Sequence, residues 1–504
     1  MLLDGKKITM EDVVKVARKR ERIILSEEVK NVISIGRAHI ENACTTEKPI
    51  YGVSTGFGFL QNKYISVDER KKLQHNLIHS HATGVGAYLD EDVVRASIFL
   101  KILSLIQGAS GVRTIVVEKL IELLNKDIYP AMPSQGSVGA SGDLVPLAHM
   151  ALVLLGEGIV IEQGLEVNSK ECFQKKDITT LSLMEKEGLA LINGTQVMTA
   201  IAVLTCYDAR KLFKCADLAA ALSVEALRGD LGAFDIRIIN MRPHKGALSV
   251  AKNMYLLTQN SDLNELSRDN VQDAYSLRCI PQVHGASRDA LNRAEETILI
   301  EINAVTDNPV VIPNTGDILY GGNFHGQPIA LIMDYMKIAI SEIGNISERR
   351  LNRLLDSHLS CLPSFLTNSP GINSGLMITQ YTAAALVSEN KVLAHPASVD
   401  SIPLSANQED HVSMGTIAAR QLNEILYNVS NIISIEMLAA SQGIDMLKSN
   451  RLGMGTEKAY QYIRNYVKRL ENDRILYNDI DIIQKNILEG SLLKAVEDSV
   501  GELE

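Results

Sequence analysis

Gly139-Ala140-Ser141-Gly142-Asp143-Leu144 sits between a turn containing Pro130 and Pro133 and an apolar run from Leu144 to Leu155. Its one hydroxyl, Ser141, lacks the elbow sequence that exposes a hydrolase nucleophile. Two readings of the stretch stand side by side. In one, it is a glycine-rich turn ahead of a buried helix, with Asp143 as the helix cap. In the other, it is a site of backbone chemistry. Glycines flank the Ala-Ser pair on both sides, so the backbone can fold back without a Cβ clash. Small residues at 140 and 142 would let the amide nitrogen of Gly142 reach the carbonyl carbon of Ala140. Loss of water from that ring and from Ser141 would leave a conjugated methylidene, an electrophile that no standard side chain supplies.

Outward from this stretch, long apolar-periodic segments dominate and strand signals are few, which predicts a mainly α fold. Leu144 to Leu155 is apolar almost throughout, as expected of a helix buried on every side. Gln196 to Leu227 is a second such run. Pro328 to Leu355 places Ile332, Met336, Ile340, Ile343 and Ile346 at helical spacing, and Met377 to His395 stops at Pro396. Val412 to Ala440 continues the pattern through Leu422, Ile425, Leu426, Val429, Ile432 and Ile433. Helices this long, with wide apolar faces, predict a bundle core and subunit association. Upstream, residues 11 to 40 read as short helices with charged faces. The glycine-rich loop from Tyr51 to Gly58 lacks the GxGxxG spacing and the strand–loop–helix context of a dinucleotide site. The change from loop-rich to helix-rich sequence sets a boundary near residue 110. It separates an N-terminal domain, 1–110, with the Tyr51 loop and His81, from an elongated helical domain, 111–504, with Ala140-Ser141-Gly142 and the oligomer core.

Composition narrows the function classes. The 504 residues carry a net charge of −10 with no basic stripe, which argues against nucleic acid as a partner. The N-terminus has no apolar core of signal-peptide length, and no run of about 18 apolar residues predicts a membrane span. The six cysteines are scattered without CxxC spacing and read as thiols of a reducing compartment, so the cytoplasm is expected.

Several side chains stand out on their own chemistry. A phenol such as Tyr51 ionises near pH 10, so it serves as a base at neutral pH only in a cationic or hydrogen-bonding environment. His79 and His81 form an HxH pair, a weak metal signal without a third ligand at diagnostic spacing. Asn193, in GLALINGTQ, reads as a cap for the helix that follows. Arg278 offers either an ordinary ion-pair partner or a guanidinium fork suited to a carboxylate. Phe324 stands in a glycine-rich loop and needs something to pack on. Asn407, Gln408, Glu409 and Asp410 precede His411 and an apolar segment, and read locally as a helix N-terminus with acids favoured by the dipole.

Taken together these stretches resemble the aromatic amino acid ammonia-lyase family. GSVGASGDLVPLAH, from Gly136 to His149, is similar to its cofactor-forming motif, and the loop from Tyr51 to Gly58 to its YGxxTGFG motif. GLALINGTQ, QDAYSLRCIPQ, EINAVTDNP, GGNFHGQP and VDSIPLSANQEDHVSMG agree in order and spacing, so the resemblance covers roughly residues 51 to 445. Ser80-His81 and Gln408-Glu409-Asp410 resemble the histidine-specific members; those specific for phenylalanine or tyrosine carry Asn-Gln-Asp at the second place. Ile280 stands where many histidine-specific members have Gln.

The resemblance implies a fumarase/aspartase-like long helical bundle with a smaller N-terminal domain, assembled as a homotetramer with active sites shared between subunits. It implies a 4-methylidene-imidazol-5-one cofactor formed autocatalytically from Ala140, Ser141 and Gly142, with no external cofactor and no metal. It implies conversion of L-histidine to trans-urocanate and ammonia, the first step of histidine degradation. The alternative is a tyrosine or phenylalanine ammonia-lyase, or an aminomutase with the same cofactor. By the same resemblance Tyr51 is the general base, Ser141 the source of the methylidene carbon and Arg278 the anchor of the substrate carboxylate. Asn193 contacts the substrate or the cofactor oxygen, Gln272 and the catalytic Tyr275 line the cofactor, and Phe324 is an aromatic wall. His81 and Glu409 read the imidazole: a carboxylate can accept its N–H, whereas a phenyl ring would face a desolvated charge.

Overall fold

The computed structural model describes residues 1–46, 49–265, 271–447 and 451–504. The chain divides into two compact units, neither of them a single segment. Residues 1–204, 295–334 and 396–420 make the first; 205–294, 335–395 and 421–504 make the second. This partition follows compactness, whereas a boundary near residue 110 follows the change in local pattern.

The first unit mixes helices of moderate length with four small sheets. Its central helix, Glu91–Leu105, buries thirteen successive residues from Val93 to Leu105. Two of them are Arg95 and Lys101, so the polar ends need partners. Arg95 donates to the carbonyls of Val16 and Leu124 and pairs with Asp127 at 2.9 Å. Lys101 donates to the carbonyls of Ala190 and Asn193 at the end of the helix Glu187–Ile192. Burial holds the Lys101 ammonium down to about 7. The helix Leu144–Leu154 is as apolar as its sequence predicts, with seven of its eleven residues buried.

The second unit is built on long helices. Gln196–Leu227 spans 32 residues, about 48 Å at 1.5 Å per residue, and all but its first nine belong here. Long stretches of Ile280–Ile302, Gln327–Leu355 and Gly415–Ile444 accompany it, with Met377–Leu393 entirely within the unit. The apolar spacing behind these expectations is the buried face: Met336, Ile340, Ile343, Leu422, Val429 and Ile433 are all fully covered. Two of its buried carboxylates are paired with guanidinium groups. Glu436 takes both arms of Arg350, at 2.5 and 2.9 Å, together with the hydroxyls of Ser223 and Ser347. Asp217 accepts from Arg288 and Asn253 and meets His284 at 2.7 Å.

Candidate active site

The Gly139–Leu144 stretch is locked by backbone contacts that only small residues permit. Gly142 has φ +74, and a Cβ on it would stand 2.1 Å from the Gly194 carbonyl oxygen. Gly139 has φ +69, and a Cβ there would stand 2.1 Å from Ser413 Oγ. Gly194 N–H donates to the Ser141 carbonyl at 3.0 Å, and Asp143 N–H to the Gly194 carbonyl at 2.7 Å. Ala140 is buried against Val412 and Met414.

Asp143 does not cap its own helix, which departs from the local reading of the sequence. It occupies the N-cap position of Leu144–Leu154 without a side-chain cap hydrogen bond. Its Oδ2 instead accepts from the Val197 and Met198 amides, 2.9 and 2.8 Å away, in the first turn of Gln196–Leu227. Its Oδ1 accepts from Ser137, at 3.1 Å, and from Thr416. Burial pushes the carboxyl above the usual carboxylate range, against the pull of these four donors. The residues around 413 are drawn into this frame: Ser413 donates to the Gly139 carbonyl and Met414 N–H to the Val138 carbonyl. The helix therefore begins at Gly415 rather than at Val412.

Asn193 ends the helix Glu187–Ile192 rather than capping the one that follows. Its amide donates to Asp307 Oδ1 at 3.0 Å and to the Asn308 carbonyl at 2.9 Å. Asp307 is in turn held by the fully buried Lys186 at 2.7 Å. The side-chain nitrogen is thus occupied, and the amide oxygen of Asn193 remains as the acceptor.

Tyr51 lies on a loop fixed from behind by Gln74. That side chain donates to the Gly52 carbonyl and accepts from Leu189 N–H, so it joins the Tyr51 loop to the helix leading into Asn193. The Tyr51 hydroxyl accepts from Gly58 N–H at 3.0 Å. Burial, and then the nearby Glu409 charge, push the phenol above its ordinary value, while the Gly58 N–H pulls it down.

Glu409 is not at a helix N-terminus. The segment before it, Ser405-Ala406-Asn407, has three consecutive positive φ angles, +50, +51 and +67. Such residues cost roughly 1–2 kcal/mol each outside glycine. The loop is closed by Leu404 and Glu409, which exchange backbone hydrogen bonds at 2.9 and 3.2 Å. It is tied to the Tyr51 loop by Phe59 N–H donating to Ser405 Oγ, and by Gln61 donating to Gln408. The acids are turned toward a cavity instead of a helix dipole, and burial alone raises the Glu409 carboxyl.

These parts enclose a cavity of about 640 Å³, lined among others by Tyr51, Ala140, Ser141, Asn193, Phe324 and Glu409. Among the described residues seventeen line it, all from the first unit. His81, Gly142, Gln272, Tyr275 and Arg278 are not among them. Gly142 lies just below Ser141 in the frame. His81 is the last residue of the helix Arg70–His81, with Nδ1 3.0 Å from Ser80 Oγ, and burial holds its imidazole below the usual value. Gln272, Tyr275 and Arg278 belong to the second unit. Tyr275 is 71% exposed, and the Arg278 guanidinium lies 4.5 Å from the centre of its ring. The Arg278 Nε is buried without a hydrogen-bond partner among the described residues.

The sequence reading missed His325 and His411 as cavity residues. Their rings stack at 5.7 Å, nearly parallel, and both line the cavity. Each follows directly on a stretch already singled out, His325 after Phe324 and His411 after Asp410, and adjacency was the available signal. Gln74 and Thr416 gave none, because their partners are remote in sequence.

Comparison with known proteins agrees in family and fold. The profile of the aromatic amino acid lyase family matches residues 8–465. A histidine ammonia-lyase of Alkaliphilus oremlandii is 52% identical over 501 residues, 99% of each chain. Histidine ammonia-lyase from Trypanosoma cruzi superposes with a TM-score of 0.92 at 40% identity, covering 99% of this chain and 96% of that one. Tyrosine aminomutase from Streptomyces globisporus superposes at 0.95 with 37% identity, covering 100% of both chains.

Proposed function

We propose a function from one premise: the chain belongs to the aromatic amino acid lyase family. Its fold is of the fumarase/aspartase-like helical class. It is a carbon–nitrogen lyase that removes ammonia from L-histidine without oxidation and leaves trans-urocanate. Within the molecule, one observation carries the substrate assignment: the Glu409 carboxylate lines the same cavity as Ser141 and Tyr51. It can accept an imidazole N–H, whereas a phenyl ring would strip water from the charge and return nothing.

The site is read as the seat of 4-methylidene-imidazol-5-one, formed from Ala140, Ser141 and Gly142 with no external cofactor. The residues fit it. Both flanking glycines sit where a Cβ would strike the frame, and the cavity reaches Ser141 itself. Once formed, the group would supply an electrophilic methylidene carbon, derived from the Ser141 Cβ, for attack by the substrate amine.

The rest of the chemistry falls to side chains. Tyr51 Oη takes the β-proton. With the cavity free of substrate, burial and the Glu409 charge keep it a phenol. An imidazole N–H against Glu409 offsets that charge, and the Gly58 N–H stabilises the phenolate, so the substrate helps to activate its own base. Asn193 presents its amide oxygen to the cofactor or the substrate, and Phe324 walls the ring from water. Burial favours a neutral His81, which can exchange a hydrogen bond with the substrate imidazole. Arg278 clamps the substrate carboxylate with its guanidinium fork, while Gln272 and Tyr275 line the cofactor. These three act through a homotetramer with shared active sites. The exposed Tyr275 ring and the unpartnered Arg278 Nε support that reading, since the one lacks a covering surface and the other a hydrogen-bond partner among the described residues of the single chain.

The protein is read as cytoplasmic, with a small-molecule partner rather than nucleic acid or membrane. None of the six cysteines is in a disulfide, and no helix among the described residues is long and apolar enough to cross a membrane. Purified enzyme offered histidine, tyrosine and phenylalanine tests the assignment. Urocanate from histidine alone is expected; a cinnamate-type product or a β-amino acid would move the enzyme to another branch. The intact mass should fall short of the sequence mass by about 36 Da, two waters.

A further inference from the structure

Arg70–His81 carries more of the site frame than its length suggests. Gln74 holds the Tyr51 loop and the helix before Asn193, and His81 ends it. One turn apart on the same helix, at positions i and i+4, stand His75 and His79. Their rings lie 4.2 Å apart, and both turn Nε2 toward one carboxylate, Glu157. His75 Nε2 is 3.1 Å from Glu157 Oε1, and His79 Nε2 bonds to Oε2. One ligand atom from each residue fits within 4.8 Å of the others.

We propose that His75, His79 and Glu157 form a divalent transition-metal site of the zinc type, separate from the catalytic cavity. The sequence reading set His79 beside His81 and found no third ligand. In the fold His79 pairs with His75 instead, and the third ligand comes from the turn after Leu144–Leu154. The donor set of two imidazoles and one carboxylate suits Zn²⁺ and leaves a fourth position for water. Bonds of about 2.0–2.1 Å put tetrahedral ligand atoms about 3.3 Å apart, so the 3.1 Å separation of His75 Nε2 from Glu157 needs little adjustment, while the closer contact of His79 with Glu157 must open to admit an ion. Glu157 is preset: its N–H donates to the Leu152 carbonyl, and its own carbonyl accepts from Ser169 Oγ at 2.7 Å. The three side chains are partly exposed, between 40% and 45%, which gives an ion a path from solvent. An ion here would clamp the helix that positions the Tyr51 loop and His81 to the far end of the helix that begins beside Ser141. It would act on the rigidity of the site, with no part in the chemical step.

The test uses the full-length enzyme, stripped with a chelator and exchanged into buffer free of histidine and urocanate, whose imidazoles would compete for the ion. Calorimetric titration with Zn²⁺ should give one ion per chain and a raised thermal midpoint. His75→Asn and His79→Asn should each weaken binding by about tenfold or more, and Glu157→Gln by less. Loading the wild type with Co²⁺ should give the intense visible bands of a four-coordinate site, a measurement that decides the matter if a variant fails to fold. Three results would overturn the proposal: no stoichiometric binding, the weak spectrum of a six-coordinate ion, or binding undiminished when both imidazoles are gone. The last would seat the ion elsewhere, for instance at His325 and His411.

Discussion

Asp143 and Glu409 are carboxylates of the same unit, one beneath the cavity and one on its wall. Asp143 is fully buried and accepts from two hydroxyls and two backbone amides. Glu409 is half-buried and follows three successive residues in the left-handed region. The contrast extends to their surroundings. The floor, built from residues 137–144, 193–198 and 413–416, spends most of its polar groups within the fold, the Asn193 amide oxygen apart, and tolerates no added Cβ at Gly139 or Gly142. The wall, 404–411 with the Tyr51 loop, keeps polar groups turned to the cavity and accepts backbone strain to do so. A reactive group made from backbone needs a floor that cannot move; a wall that reads a side chain needs unspent hydrogen-bonding capacity.

The largest effect should come from the floor. Ser141→Ala removes the only source of a methylidene carbon while leaving the frame intact, since the frame holds Ser141 by its carbonyl. Turnover of histidine should fall on the order of a thousandfold or more, with an unchanged circular dichroism spectrum and oligomeric size. Activity close to wild type would remove the cofactor from this site.

Next, Asp143→Ala should cost stability rather than chemistry alone. It strips the Val197 and Met198 amides of a buried acceptor and leaves the Ser137 and Thr416 hydroxyls facing a void. About 3 kcal/mol is expected from urea unfolding. A loss under about 1 kcal/mol would mean the floor is less rigid than its hydrogen bonds suggest. On the wall, Glu409→Gln should leave folding alone and lower kcat/KM for histidine by roughly tenfold, because a charge-assisted hydrogen bond becomes a neutral one. The pH–rate profile should shift with it, since the Glu409 charge is one of the influences that hold the Tyr51 phenol up.

What the sequence made legible divides along the same line. Helix spans set by local apolar spacing were readable: Gln196–Leu227 is found as drawn, and Gln327–Leu355 differs by one residue. Ser141 and the glycines around it were readable because their chemistry is local. The floor's support was not, because Ser137 and Asp143 meet Thr416 across more than 270 residues. Nothing near Thr416 marks it as anything but a helical residue. The wall was misread locally. Asn407 to Asp410 have the composition of a helix N-terminus, but the left-handed run Ser405-Ala406-Asn407 and the pull of Met414 toward Val138 delay the helix to Gly415.

The smallest effect concerns the stability of the wall itself. Burial raises the folded-state pKa of Glu409 above its unfolded value. For a carboxyl shifted in that direction, the neutral form is the one the fold prefers. Its contribution is fully present below the unfolded value, near 4.5, and is lost as pH rises through the raised folded value. At neutral pH the wild type therefore carries a buried charge at a small cost, which Glu409→Gln removes. The variant should match wild type in thermal midpoint at pH 4 and exceed it slightly at pH 7. Because the group is nearly half exposed, solvent screening limits the difference to within about 0.5 kcal/mol. A variant clearly less stable than wild type at pH 7 would show that the ionised carboxylate is engaged in a favourable bond within the fold. Glu409 would then be built in the manner of Asp143, its capacity already spent, and the cavity would lose the acceptor on which recognition of an imidazole depends.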